Sequence, residues 1–252
     1  MSKHIVLIHG AWQGSWAFSA WRPFLQDSGW TVHSVELPGN GWGENAQAVA
    51  SPESYCEHLV TVIENIGESV VLLGHSGGGV IASQVAELIP ERIRALVYLA
   101  GMMLPNGMSF VDVVKLCSEE RPDLDFAGIN RYLESSDLDQ SSSVPVSAAL
   151  HIFLHDCSTD AAATAASLLR PQPASGRNMP PQLSDERYGR VPRIYIEATA
   201  DRSIDIYVQR RMQQLSPGAH VISLDCGHVP QLAQPQALTD ALNSKLQRLL
   251  NL

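Results

Sequence analysis

The segment 70–82 reads VVLLGHSGGGVIA and decides how this sequence folds. Four apolar residues lead into Gly-His-Ser-Gly-Gly, and an apolar pattern of helical period follows. This order predicts a buried strand, a sharp turn and a helix, with Ser76 at the apex of the turn. The flanking glycines leave room for a strained serine backbone, and the start of the helix directs amide groups towards charge that develops near the hydroxyl. The pattern is typical of a nucleophile elbow.

Apolar runs of strand length alternate with helical patterns along the rest of the chain. The continuous apolar run over residues 4–9 is typical of a strand that is buried on both faces. Further strands are predicted over residues 31–37, 95–100, 193–198 and 220–224, and helices over residues 16–28, 52–65, 78–89 and 236–250. Helices between consecutive strands indicate right-handed crossovers, so we predict an α/β fold with a mostly parallel, doubly wound sheet of about six strands.

The alternation stops between residues 104 and 191. This stretch contains helical patterns without a convincing strand, and two pieces rich in serine and proline, 141–145 and 170–181, are interpreted as loops. We therefore predict an all-helical cap, residues 104–191, inserted into a core formed by residues 1–103 and 192–252. Such an insertion would lie over the carboxyl ends of the strands.

Composition excludes several classes of function. The net charge is −9 without a basic run, so neither nucleic acid nor an anionic membrane is an expected partner. No apolar run has the length of a membrane span, and the first residues do not resemble a secretory signal. The four cysteines are scattered without a C-x-x-C pair, which favours free thiols in the cytoplasm and argues against zinc.

Two other patterns carry no cofactor prediction. The glycines 77–79 lack the Gly-Lys-Ser/Thr signature of a phosphate loop. His151 and His155 are four residues apart, but no glutamate follows the first, so a metal is not expected there. We expect a protein without metal or cofactor.

A serine nucleophile needs a base and an acid, and in elbow folds the acid and then the histidine follow it along the chain. His228 lies between the last strand and the final helix, where it can reach back over the sheet to Ser76. Asp201 lies at the carboxyl end of the preceding strand. Asp205 and Asp225 are alternatives for the acid, but the first is expected in a helix and the second is very close to the histidine along the chain.

The oxyanion of an ester intermediate needs two backbone donors. One is the amide of Gly77, directly after the nucleophile. The other is expected in the loop after the first strand, where Gly10 allows close approach and Ala11 supplies the amide. Trp12 and Val229 are expected to line the substrate pocket.

Together these residues resemble the plant methylesterase and hydroxynitrile lyase family of α/β-hydrolases and its bacterial esterase relatives. The opening segment 4–16, HIVLIHGAWQGSW, is similar to that family's first strand and oxyanion loop. Segments 155–171 and 183–196 are similar to its last cap helix and to the return from cap to sheet. The resemblance implies the α/β-hydrolase fold, a catalytic triad of Ser76, Asp201 and His228, and a small apolar pocket under the cap.

Departures from the family pattern favour one activity. The plant lyases have a lysine after the triad histidine and a threonine in the oxyanion loop, where this chain has Val229 and Ala11. Without the lysine there is no cation to stabilise departing cyanide. We therefore expect a serine carboxylesterase that hydrolyses small, largely apolar esters as a monomer or homodimer. Hydroxynitrile lyase activity and a slow small-molecule receptor remain the alternatives.

Overall fold

A parallel six-stranded sheet forms the centre of the computed structural model, which describes residues 3–44, 46–138, 140–176 and 179–250. Its strands are β1 (His4–Ile8), β2 (Thr31–Val35), β3 (Val70–His75), β4 (Ile93–Leu99), β8 (Arg193–Ala198) and β9 (Ala219–Leu224). They lie in the order β2-β1-β3-β4-β8-β9, and every pairing is parallel. The predicted fold class is confirmed. None of the helices in the described ranges combines the length and apolarity needed to cross a membrane.

The helices are α1 (Arg22–Asp27), α2 (Pro52–Ile66), α3 (Gly78–Leu88), α4 (Phe110–Glu120), α5 (Val146–Ala148), α6 (Thr159–Leu168), α7 (Ile206–Leu215), α8 (Pro230–Ala233) and α9 (Pro235–Leu250). A π-helical turn, Ala149–Phe153, continues α5. The start of α2 illustrates how the sequence sets a boundary. Ser51 and Ser54 cap each other's backbone amides, and Pro52 occupies the first turn, where its missing N–H costs nothing.

Apolar side chains on both faces of the sheet explain why its inner strands β1 and β3 are nearly continuous hydrophobic runs. In β1, Val6 and Ile8 pack with residues of α2 and α3. The alternate residues Ile5 and Leu7 pack on the other face with residues of α1 and α9. A strand that is covered on both sides has no polar face, so its sequence lacks the alternation of a half-exposed strand.

The single helix predicted over residues 16–28 is wrong in one respect. A 3₁₀ turn, Ser15–Phe18, comes first, and α1 begins only at Arg22. Pro23 lies in the first turn of α1. Because proline lacks an N–H and its ring clashes with the carbonyl one turn earlier, a helix cannot run through this position undisturbed.

The sequence had suggested that residues 104–191 form an all-helical cap, and this is wrong. Besides helices this stretch carries an antiparallel sheet of three short strands: β5 (Glu134–Ser136), β6 (Ser141–Ser143) and β7 (Gln172–Pro173). Strands of two or three residues are too short for a period-two pattern, and β7 joins β6 from some thirty residues away. Residues 139, 177 and 178 of the predicted cap, and 1–2, 45 and 251–252 of the predicted core, lie outside the described residues, and the division into core and cap stays a prediction.

Candidate active site

Ser76 occupies a strained backbone conformation at the end of β3. Its φ is +52°, a region that non-glycine residues rarely adopt. Two glycines of the surrounding turn leave no room for side chains, and a Cβ on the first of them, Gly74, would lie 2.5 Å from the carbonyl carbon of Gly78. A Cβ on Gly78 would lie 2.7 Å from the carbonyl oxygen of Ile8. The Met102 amide donates to the Ser76 carbonyl oxygen at 2.9 Å and helps to hold the turn.

Asp201 and His228 form a buried hydrogen-bonded pair. Asp201 Oδ2 lies 2.7 Å from His228 Nδ1, and the two residues are 6% and 1% exposed. The other carboxylate oxygen of Asp201 accepts hydrogen bonds from the amides of Ser203 at 2.7 Å and Ile204 at 3.0 Å. These amides fix the carboxylate, so His228 carries its proton on Nδ1 and keeps Nε2 as the basic nitrogen.

The two alternative acids have other contacts. Asp205 caps α7 by accepting from the Tyr207 amide at 2.7 Å. Asp225 accepts a long hydrogen bond of 3.4 Å from the Thr199 hydroxyl. Neither is recorded as a partner of the His228 ring, so among the three aspartates it is Asp201 that the fold brings to the histidine.

No hydrogen bond joins Ser76 Oγ to the His228 ring among the described residues. His228 is held in place from three sides: by Asp201, by the Phe153 ring stacked at a centroid distance of 5.2 Å, and by His75. Contacts between nucleophile and base are often long in a free enzyme and shorten when substrate binds. The described residues therefore give an oriented base that packs against His75, the residue directly before Ser76.

The two predicted oxyanion donors lie next to each other. A Cβ built on Gly77 would come within 3.9 Å of the Ala11 amide nitrogen and within 4 Å of nothing else. The loop that carries Ala11 approaches the nucleophile closely, because a Cβ on Gly10 would lie 2.9 Å from Ser76 Cβ. Two backbone amides on neighbouring loops can donate to one oxygen, as an oxyanion requires.

A cavity of about 390 Å³ opens above these groups. Ser76, Ala11, Gly77 and Trp12 are among its lining residues. Most of the remaining wall is apolar and comes from α3, the following loop and the inserted segment; it includes Val80, Ile81, Leu104, Phe110, Ile129 and Met179. Val229 is wholly buried in a cluster with Trp12 and Phe153 and is not among the lining residues of the described chain.

Sequence reasoning missed the residues that hold the acid and the base. His75 Nε2 lies 2.8 Å from the His228 carbonyl oxygen, and Asp156 Oδ2 accepts from the Gly227 amide at 2.6 Å. Gln209 also reaches the Asp201 carboxylate, at 3.3 Å. Except for Gln209, these partners are 70 or more residues away along the chain, so no local pattern could have indicated them.

Two histidines near the site are buried and have lowered pKa values. Burial lowers the pKa of His75 to about 3, and repulsion from His228 acts in the same direction. Burial also lowers the pKa of His9. Within the described ranges, no group of three or more histidine, cysteine or acidic side chains is arranged to hold a metal ion.

Comparisons with known proteins agree with this geometry. The model of the family described as the alpha/beta hydrolase family matches residues 5–241. The chain is 33% identical to a candidate chloroplastic methylesterase (methylesterase 11) of Arabidopsis thaliana, over 94% of this chain but only 62% of that protein's length. It is 28% identical to a pyrethroid hydrolase of Sphingobium wenxiniae, over 94% of this chain and 85% of that one.

Solved structures extend the likeness to three dimensions. The crystal structure of polyneuridine aldehyde esterase is 26% identical in sequence and superimposes with a TM-score of 0.81. The alignment covers 97% of this chain and 99% of that one. The resemblance to methylesterases and to bacterial esterases, inferred above from short segments, is confirmed over nearly the whole length.

Proposed function

The chain belongs to the alpha/beta hydrolase family, and from that premise we propose that it is a serine carboxylesterase acting on small, largely apolar esters. The observation that carries the proposal is the buried contact of 2.7 Å between Asp201 and His228, beside a serine held at a φ of +52°. The names of its relatives support the proposal, since they include a methylesterase and a pyrethroid hydrolase.

In the proposed reaction, Ser76 Oγ attacks the ester carbonyl carbon while His228 Nε2 takes the hydroxyl proton. Asp201 stabilises the imidazolium that forms. The tetrahedral intermediate collapses as His228 returns the proton to the leaving alcohol, which leaves an acyl group on Ser76. Water then attacks the acyl-enzyme with the same base, and the carboxylic acid departs.

The oxyanion of both intermediates is assigned to the amides of Ala11 and Gly77. Gly77 is also the last residue before α3, so the positive end of that helix supports the developing charge. The nearby histidines 9 and 75 do not compete as bases, because their burial lowers their pKa values. His228 is left as the base of the proposal.

Two features favour hydrolysis over the lyase alternative. The residue after His228 is Val229, an apolar side chain with no exposure. Among the cavity-lining residues of the described chain there is neither lysine nor arginine. A leaving cyanide anion would therefore find no cation on the described part of the wall, whereas an alcohol that leaves after protonation by His228 needs none.

The proposal includes a reducing compartment, with the cytoplasm as the first choice, and small-molecule esters as the partners. Cys56, Cys117, Cys157 and Cys226 are all free thiols. Burial raises the pKa values of Cys56, Cys157 and Cys226 to about 12, which keeps these thiols unreactive. A monomer or homodimer suffices, because every proposed catalytic group comes from one chain.

The test is labelling with a fluorophosphonate, read by intact mass, beside hydrolysis of para-nitrophenyl acetate by the same sample. We expect a single adduct that maps to Ser76, with turnover that Ser76→Ala lowers by several orders of magnitude. Ser203→Ala is the matched control, since this second serine lines the same cavity and should be dispensable. Turnover that survives Ser76→Ala would overturn the proposal, and labelling without turnover would favour a receptor.

A further inference from the structure

Three buried polar side chains meet at the wall of the cavity, apart from the proposed triad. Asn40 follows β2, Tyr55 lies on α2, and Gln172 lies on β7 in the inserted segment. They are 3%, 1% and 2% exposed, and all three line the same cavity as Ser76. Polar groups in such a position need partners, so their hydrogen bonds can be followed one by one.

A backbone amide fixes the direction of every hydrogen bond in this group. The Trp12 amide can only donate, and its partner at 3.3 Å is therefore the carbonyl oxygen of the Gln172 side chain. The amino group of Gln172 then points to Asn40, at 3.1 Å, and to the Tyr55 hydroxyl, also at 3.1 Å. The Tyr55 hydroxyl in turn donates to Asn40 at 2.9 Å.

Because both neighbours donate to Asn40, the atom that faces them is its carbonyl oxygen, Oδ1. These two donors therefore fix the orientation of the Asn40 side-chain amide. The amide nitrogen, Nδ2, has no hydrogen-bond partner among the described residues. The residue is buried but this nitrogen is not a fully buried atom, so it is open to the cavity, where a ligand or a water can accept its hydrogen bond.

The rest of the cavity wall restricts what that ligand can be. In the described part of the chain, no lysine, arginine, aspartate or glutamate lines the cavity. His9 is neutral with its proton on Nδ1, because it donates to the Gly10 carbonyl oxygen at 2.9 Å and accepts from the Leu37 amide at 3.3 Å. On this described part of the wall a charged ligand would find no counter-ion for the hydration it loses, whereas a neutral acceptor loses less hydration and gains a hydrogen bond.

We propose that Asn40 Nδ2, held in place by Tyr55 and Gln172, is the donor of a specificity subsite for esters that carry a neutral hydrogen-bond acceptor remote from the scissile bond. The acceptor is a ketone, ether, amide or nitrile group, and a carboxylate is disfavoured. The inference rests on the proposed esterase function, because it names the class of substrate for that same cavity.

The experiment compares matched esters on the purified protein. The first series pairs para-nitrophenyl hexanoate with its keto analogues and with the analogue that ends in a carboxylate. The second series uses esters whose alcohol part carries the ketone. Their hydrolysis is followed by the carboxylic acid that is released. In at least one series we expect a keto ester to have the higher kcat/KM, and the carboxylate analogue to have the lowest.

Two variants separate recognition from a structural role. Asn40→Asp keeps an oxygen that accepts from Tyr55 and Gln172 but replaces the donor Nδ2 with a second oxygen. Asn40→Leu removes the acceptor and the donor. Each should lower the ratio of keto to alkyl kcat/KM about five- to ten-fold, the effect of one neutral hydrogen bond, while alkyl ester turnover by a folded variant changes less. Thermal midpoints report folding, and Asn40→Asp remains informative if Asn40→Leu does not fold.

Failure of this inference is distinguishable from failure of the esterase proposal. If alkyl esters are hydrolysed but the keto-to-alkyl ratio is the same in wild type and both variants, in both series, the Asn40 group only holds the fold together. Faster turnover of the carboxylate analogue would also overturn the subsite. If no ester is hydrolysed, the subsite can still be tested by binding. Saturation-transfer NMR measures binding of the intact esters to Ser76→Ala and to Ser76→Ala/Asn40→Asp. Equal binding of keto and alkyl esters would contradict the subsite.

Discussion

His75 Nε2 lies 2.8 Å from the backbone carbonyl oxygen of His228, and the centroids of the two rings are 4.9 Å apart. The residue that precedes the nucleophile along the chain thus holds the loop of the proposed base, 153 residues further on. A neutral imidazole is suited to this task, because it donates from Nε2 without placing a second positive charge beside His228. The contact joins the elbow and the base into one unit.

The first prediction concerns the pH dependence of stability. Burial lowers the pKa of His75 from 6.5 to about 3, so the unfolded chain binds this proton more readily than the folded protein. Stability from this group is therefore complete above about pH 6.5 and is lost as pH falls towards 3, at roughly 1.4 kcal/mol per pH unit. His75→Gln removes the titration and should flatten the fall in unfolding free energy.

Urea unfolding at about pH 7.5 and about pH 5 measures this slope. The exposed His220→Gln variant is the matched control for a change of histidine at the surface. If His75→Gln and wild type lose the same stability between the two pH values, burial of neutral His75 does not limit acid stability.

Asp201→Asn tests the acid while keeping the two backbone contacts that hold it, and loses only the long 3.3 Å hydrogen bond from Gln209 Nε2 to Oδ2. The introduced side-chain amide would still accept from the Ser203 and Ile204 amides through its carbonyl oxygen, and this keeps its amino group facing His228. His228 would then have to accept at Nδ1 and carry its proton on Nε2, the wrong tautomer for a base. We expect kcat to fall about 10⁴-fold, because the wrong tautomer removes the general base while the geometry is kept.

Asp205→Asn is the control for this experiment, because Asp205 caps α7 through Tyr207 rather than contacting His228. It should lower the thermal midpoint slightly and leave ester hydrolysis near the wild-type rate. A larger loss of activity in Asp205→Asn than in Asp201→Asn would reverse the assignment of the acid.

The neighbouring glycines 77 and 78 should respond differently to added side chains. A Cβ on Gly77 meets only the Ala11 amide nitrogen, at 3.9 Å, so Gly77→Leu should fold and fill space beside the nucleophile. We expect it to lose much more activity on bulky esters than on para-nitrophenyl acetate. A Cβ on Gly78 would lie 2.7 Å from the Ile8 carbonyl oxygen, so even Gly78→Ala should lower the thermal midpoint. Undiminished hydrolysis of bulky esters by Gly77→Leu would show that this space is not used by substrate.

The six strands and the elbow could be predicted because each is encoded within a few neighbouring residues. The run before Ser76 is apolar on both faces, and Gly74 and Gly78 are required because a Cβ on either would overlap the neighbouring backbone. The observed strand ends differ from the predicted ends by one or two residues, because hydrogen-bond pairing with neighbouring strands determines where a strand ends. The order of serine, aspartate and histidine, together with the position after the strand at 193–198, narrowed the candidates for the acid to Asp201, Asp205 and Asp225.

What escaped prediction depends on contacts between distant segments. The β5–β7 sheet is too short to leave a pattern, and its pairing with residues far along the chain exists only in the folded protein. The polar group of Asn40, Tyr55 and Gln172 comes from three separate elements for the same reason. Each of these residues taken alone is compatible with an ordinary loop or helix.

The last prediction concerns the inserted segment, which holds both loops of the proposed acid and base through two adjacent residues. Asp156 Oδ2 accepts from the Gly227 amide at 2.6 Å, next to His228, and His155 Nε2 lies 3.1 Å from the carbonyl oxygen of Ala200, next to Asp201. Asp156→Ala should let the base loop shift, and since small misplacements of catalytic groups are costly, we expect kcat to fall about ten-fold with KM nearly unchanged. Asp160→Ala, on the exposed first turn of α6, is the matched control and should keep the wild-type kcat. A rise in KM with unchanged kcat in Asp156→Ala would instead mean that this contact shapes the substrate cavity and does not position the base.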